Sequence, residues 1–141
     1  MGKFAFLLGT WKLDYRVPKS EFSEAATGAG KGTFKKALND KYVYFDYEAS
    51  FSTGDKTQAH AIFAWDEKSK IYRYWWFEDS GNFLTASGHF IDDQTLFLKW
   101  HEIGLVQTFK KVGPDQVILR MRRSDLEETQ QTVLEVLLTR V

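Results

Sequence analysis

The side chains with the most chemical capacity in this sequence are a few arginines, three histidines and two carboxylates set among aromatic residues. Arg73 stands in Ile71-Tyr72-Arg73-Tyr74-Trp75-Trp76-Phe77, where every other residue is apolar or aromatic. A guanidinium on such a face must be paired, which makes Arg73 a candidate for holding a ligand anion. The alternative is a salt bridge to Asp46 or Glu48, if strand three turns that parity inward. Arg120 and Arg122 share a parity with Ile118, so they either clamp an anion from inside or form a solvated stripe beside Arg123. His60, His89 and His101 fall in separate segments with neither i,i+2 nor H-x-x-x-H spacing, so no metal site and no cofactor is expected. General acid–base work requires a carboxylate or histidine within hydrogen-bond reach of a second polar group. Asp46, Glu48, His60, Arg73 and His89 are the members available, and they serve an enzyme only if two of them meet inside the fold.

Sequence motifs for catalysis fail on their own terms. Gly28-Ala29-Gly30-Lys31-Gly32-Thr33 has the glycines of a phosphate loop, yet Gly follows the lysine and a strand rather than a helix comes next. Ala86-Ser87-Gly88 lacks the full glycine frame of a nucleophile elbow. The chain has no cysteine, which removes disulfides, thiolate zinc sites and thiol nucleophiles together.

Charge narrows the partners. Nineteen basic and nineteen acidic residues cancel, which disfavours a nucleic-acid partner and binding to an anionic membrane. The N-terminal run Phe4-Ala5-Phe6-Leu7-Leu8 is shorter than a secretory apolar core, and no stretch approaches the ~20 apolar residues of a spanning helix. A cytoplasmic location is the expectation. At 141 residues, the whole chain, 1–141, is expected to be one domain.

The elements that must position these residues are strands. Turn signals recur at roughly 10–15-residue spacing, from Asn39-Asp40 through Asp79-Ser80-Gly81-Asn82 to Gly113-Pro114-Asp115, as in successive hairpins. Between them lie alternating runs, about ten in number, at 10–17, 30–38, 41–52, 57–65, 71–78, 83–91, 95–101, 105–111, 116–123 and 132–140. Trp11, Leu13 and Tyr15 share one face of the first, as do Val43, Phe45, Tyr47, Ala49 and Phe51 in the third and Leu134, Val136, Leu138 and Arg140 in the last. The first eight residues suit one short helical turn, with Phe4, Leu7 and Leu8 plugging a barrel end. Residues 18–29 read as a loop, a lid carrying Phe22. The fifth strand is aromatic on both faces. The expectation puts Trp75 in the interior and leaves Tyr72, Tyr74 and Trp76 outside, as the core of a homodimer contact.

A ten-stranded up-and-down sheet has long open edges unless it closes into a barrel. With an even strand number the first and last strands run antiparallel, so Trp11 faces Arg140 and an indole–guanidinium stack is available at the seam. Here the sequence resembles the calycins. Gly9-Thr10-Trp11 is similar to the G-x-W that opens a lipocalin's first strand, and Arg140 stands where that superfamily stacks an arginine on the tryptophan. Phe63-Ala64-Trp65-Asp66 with Tyr72 after the turn, then Gly88-His89-Phe90, is similar to uncharacterised bacterial lipocalin-like domains. The resemblance implies a closed antiparallel barrel with an internal cavity for a small apolar ligand. The sequence departs from the fatty-acid carriers in lacking the helix pair after strand one, and from lipocalins in lacking the C-terminal helix. A haem-binding calycin branch uses a histidine, but the three histidines here read as hydrogen-bonded wall residues.

The reading is therefore an all-β barrel that binds a small apolar or aromatic molecule. Its ligand-binding candidates are Tyr15, Phe45, Tyr47, Phe63, Arg73, Trp75, His89 and Arg120, with Trp11, Leu13, Phe34 and Val136 also inward. The rivals are an enzyme using a histidine/carboxylate pair in the same cavity, and an interaction module using the Tyr72, Tyr74 and Trp76 face.

Overall fold

Alternating segments become strands here because each can bury one face, and every strand finds two neighbours. The computed structural model describes residues 1–20, 24–124 and 132–141. Ten strands follow a 3₁₀ turn at Gly2–Leu7: β1 Gly9–Val17, β2 Ala26–Ala37, β3 Tyr42–Phe51, β4 Lys56–Asp66, β5 Ile71–Glu78, β6 Phe83–Asp92, β7 Thr95–Trp100, β8 Leu105–Gly113, β9 Gln116–Arg123 and β10 Thr132–Arg140. Each pairs antiparallel with the next, and β1 pairs with β10, so the barrel is closed.

The seam forms as the alternation requires. Trp11 is the register partner of Arg140, whose guanidinium lies 4.2 Å from the centre of the indole. Arg140 also donates to the carbonyls of Leu8 (2.6 Å) and Phe6 (3.2 Å), and its Nε lies 3.3 Å from Asp115 Oδ1. Trp11 donates its indole N–H to the Leu7 carbonyl at 2.7 Å. One arginine and one tryptophan thus close the sheet and tie the N-terminal turn across its end. Phe4 enters that end fully buried, with its ring 5.0 Å from Phe63 and 5.3 Å from both Tyr72 and Phe90. The chain's first turn is a stopper.

Strand β2 begins at Ala26, so residues 26–29, expected in a lid, are strand instead. Phe22, the lid's apolar residue, lies outside the described residues. The start of β2 was hard to read because its inward positions are Gly28, Gly30 and Gly32, and glycine gives no alternation signal. Their emptiness is structural. A Cβ on Gly32 would stand 2.6 Å from the Phe45 ring, and one on Gly28 2.6 Å from the Phe51 ring. At Gly30 and Gly88 the obstacle is backbone, the Glu48 carbonyl at 2.1 Å and the Phe97 carbonyl at 1.8 Å. These are the close approaches at which a tightly curved barrel sheet needs glycine.

The larger correction concerns β5. Asp66 pairs with Ile71 across the β4–β5 turn, which sets Phe63 opposite Tyr74 and Trp65 opposite Tyr72. Phe63 is fully buried, so its partner Tyr74 is inside as well, 3% exposed. Tyr72, Tyr74 and Trp76 therefore face the interior and form no outer contact surface, while Arg73, Trp75 and Phe77 face out. The outer aromatic residues at this point are Trp75, Phe77 and Phe83, the last two being cross-strand partners.

Candidate functional site

Among the described residues, the interior is filled at one end and open at the other. Around the plug, Phe34, Phe63, Phe109, Leu96 and Leu98 join Phe4, Leu7 and Trp11 in a fully buried core. Beyond them, toward the loops after β3 and β5, lies a cavity of about 630 Å³, within the usual range of small-molecule sites.

Small residues on two strands allow the cavity's large side chains to meet. At this end the inward residues of β4 are Ala59 and Ala61, so Tyr47 on β3 and Trp76 on β5 reach each other over them. The Trp76 indole N–H donates to the Tyr47 hydroxyl at 2.9 Å. On β6, Ala86 separates Tyr74 from Trp100 on β7, and those rings meet edge to face at 5.5 Å. Tyr15 on β1 meets Phe51 edge to face at 5.1 Å, and Phe45 stacks on Tyr47 at 4.8 Å. Two walls are thus aromatic. The third, from β8 to β10, presents Gln107, Leu119, Met121, Leu134 and Val136. Carboxylates of Glu24, Asp55, Glu78 and Asp79 stand at the mouth with Lys56.

The polar groups inside are few. Burial pushes the hydroxyls of Tyr15 and Tyr74 well above the ordinary tyrosine range. Burial also pushes Tyr47 up to about 12; the Trp76 hydrogen bond opposes the rise and the Glu78 carboxylate adds to it. All three stay neutral at physiological pH. Because Tyr47 accepts from Trp76, its own proton is free to donate elsewhere. Gln107 is buried in the third wall, and the Trp100 indole N–H is buried with no partner among the described residues. Such an orphan donor in a mostly apolar wall is a place where a ligand acceptor is worth most.

Of the residues singled out from sequence, Tyr15, Phe45 and Tyr47 line this cavity. Phe63 is inward but belongs to the packed end. Trp75, Arg73, His89 and Arg120 stand on the outer wall, away from it. Arg73 is satisfied there by Asp66 (3.1 Å) and Ser69 (3.4 Å), not by Asp46 or Glu48. The Ser69 backbone N–H, followed by Arg73, holds the Asp66 carboxyl below its usual range. Arg120 and Arg16 both bond Glu135, in a cross-strand row over β1, β10 and β9. His89 is exposed on the outer wall, its ring 6.0 Å from that of Phe97.

One pair proposed for acid–base work does meet. His60 Nδ1 is 2.5 Å from Asp46 Oδ1, but on the outer wall, in a broad polar groove beside Lys31 and Gln58. His101 likewise joins the hydroxyls of Ser87 and Thr85 (each 2.8 Å) on the outside, with Thr85 donating to Glu102 at 2.7 Å. Neither network reaches the cavity. No group of three or more potential metal ligands occurs among the described residues.

The residues missed from sequence are Tyr74, Trp76, Leu84, Trp100, Gln107, Leu119, Met121 and Leu134. The signal for the first two was the β4–β5 turn itself. Once Phe63 is inward, pairing Asp66 with Ile71 excludes Trp75 from the same face.

No protein-family model and no curated protein matches the chain. Solved structures do. A de novo designed fluorescence-activating β barrel is similar over 100% of this chain and 99% of its own, with TM-score 0.57 and 13% identity. A redesigned β barrel, mFAP0, solved bound to DFHBI, is similar over 96% of this chain and 99% of its own, with TM-score 0.55 and 14% identity. The S-type phycobiliprotein lyase CPES from Guillardia theta is similar over 98% of this chain and 90% of its own, with TM-score 0.57 and 9% identity. At these identities the likeness is one of fold: this chain is an all-β, ten-stranded antiparallel barrel of the kind in which those proteins are built.

Proposed function

We propose that this protein binds a small molecule with a flat, apolar body inside the open end of its barrel. The observation that carries the reading is the cavity of about 630 Å³ between the aromatic walls set by Tyr15, Phe45, Tyr47, Tyr74, Trp76 and Trp100. A core that served stability alone would close that space, since apolar wall left facing water forgoes about 25 cal/mol of stabilisation per Å². One neighbour of this fold is bound to DFHBI and another is a phycobiliprotein lyase, which accords with the reading. The ligand-binding set is then Tyr15, Phe45 and Tyr47 from the sequence, joined by Tyr74, Trp76 and Trp100.

The enzyme reading finds a histidine–carboxylate contact among the described residues, His60–Asp46, but on the outer wall rather than in the cavity. The inner part of the cavity offers neutral hydroxyls and indoles, which suit recognition, and its charged groups stand at the mouth.

The test is a fluorescence titration with N-phenyl-1-naphthylamine, a neutral flat dye. Wild type should show saturable, one-to-one enhancement. Met121→Trp, which places a large ring in the cavity, should weaken binding about tenfold or more while circular-dichroism melting stays cooperative. Equal binding by both proteins would place the dye elsewhere and overturn the reading.

A further inference from the structure

We infer that the ligand carries a positive charge at the end nearer the mouth, so that the cavity selects aromatic or amphipathic cations over neutral and anionic molecules of the same shape. The inference rests on the binding function proposed above and specifies the chemistry of its ligand.

Two independent features converge on it. The first is Glu78, the last residue of β5, which shares the inward parity of Tyr74 and Trp76. Its carboxylate accepts hydrogen bonds from Thr57 (3.3 Å) and Ser80, so it is held in place rather than free to swing into solvent. It lines the cavity together with Tyr47 and Trp76, beside the aromatic wall. Asp55 and Asp79 line the same rim with Lys56, and Glu24 lies there 4.0 Å from Lys19. Arg123 stands on the inward parity of β9 across the barrel, but it is already engaged in an interaction of its own and does not line the cavity.

The second feature is the wall material. Indole and phenol faces attract cations through their quadrupoles, most strongly where water is excluded. Trp76 lies one inward position deeper on β5 than Glu78, and Tyr47, to which it is hydrogen-bonded, lies in the same register row as Glu78 across Ala59. A cation seated there lies between aromatic side chains and an oriented carboxylate. An anion in the same seat would meet the Glu78 carboxylate as a like charge. Farther in, the unpartnered Trp100 indole N–H and the buried Gln107 amide favour an acceptor on the ligand's inner part, a carbonyl, ether or ring nitrogen. The site thus distinguishes its two ends, positive outward and acceptor inward.

The test compares thioflavin T with its uncharged parent, 2-(4-dimethylaminophenyl)-6-methylbenzothiazole, which has the same rings without the N-methyl charge. Affinities are read by calorimetry on the wild-type protein and on Glu78→Gln. Thioflavin T should bind wild type about tenfold tighter than its parent. The E78Q variant should bring the two within about twofold by weakening only the cation, because the amide keeps the shape and removes the charge. Equal wild-type affinities, or tighter binding of the neutral dye, would overturn the cation preference while leaving a binding cavity intact. Absence of binding by both dyes, with N-phenyl-1-naphthylamine also silent, would remove the cavity reading itself. Selectivity that persists unchanged in a folded E78Q would show that the rim carboxylate does not set it.

Discussion

At the closed end of the barrel Phe4, Leu7, Trp11 and Phe63 are fully buried against one another, and Arg140 stacks over the indole to seal the seam. At the open end Tyr15, Tyr47 and Trp76 are only partly buried and surround empty volume. The residue classes are the same, large aromatics on inward parities. What differs is what faces them. The closed end receives a 3₁₀ stopper from the N-terminus, whereas the open end is given alanines on β4 and β6 that leave room above them. Space inside this barrel is therefore set by where the small residues and the plug fall, and aromatic content alone does not distinguish core from site.

That division can be broken experimentally, most sharply at the closed end. Trp11→Ala removes a buried indole, its bond to Leu7 and the platform for Arg140; a loss of about 3–5 kcal/mol is expected in urea unfolding. The folded fraction should retain its affinity for N-phenyl-1-naphthylamine, and a parallel loss of affinity would mean that the two ends are not separable.

The tyrosines give the next effect. Below about pH 10 the proton of Tyr47 is bound in both folded and unfolded chains, so it contributes no slope. Between about 10 and the folded value of about 12 only the folded chain keeps it, and stability must fall as pH rises. The loss from this group is on the order of 2–3 kcal/mol, read as unfolding midpoints at about pH 9 and about pH 11.5. Tyr47→Phe should flatten part of that slope; an unchanged slope would show that Tyr47 titrates normally.

Arg140→Met comes third, at about 2 kcal/mol, from the lost stacking and two carbonyls left without their donor. It should shift the unfolding midpoint and leave dye affinity alone. The smallest effect belongs outside. Arg120→Ala breaks a partly exposed pair and should change stability by about 0–1 kcal/mol, with no change in dye binding. A large loss of affinity would return Arg120 to the interior.

Much of this architecture was legible in the chain. Period-two alternation located the strands, and the even count placed Trp11 against Arg140. Parity was readable wherever one face was polar, as in β1, where Lys12, Asp14 and Arg16 oppose Leu13 and Tyr15. It was unreadable in β5, because Tyr72, Tyr74 and Trp76 are no more polar than Trp75 and Phe77, and hydropathy cannot choose between two aromatic faces. There the β4–β5 turn register decides, and it reverses the assignment. The arginines misled for a related reason. Arg73 stands among apolar neighbours in sequence, but its carboxylate partner, Asp66, sits seven residues earlier across the turn, nearer in the chain than Asp46 or Glu48. The cavity itself was legible only as a consequence of strand number, because volume depends on which rings oppose which alanines.

The five tryptophans allow the central claim to be read in one spectrum. Indole N–H signals of ¹⁵N-labelled protein are recorded during titration with N-phenyl-1-naphthylamine. Trp76 and Trp100, on the cavity wall, should shift and saturate together, while Trp11 in the sealed end and Trp75 on the outer wall stay in place. Saturable shifts at Trp75 with Trp76 and Trp100 unmoved would contradict the account.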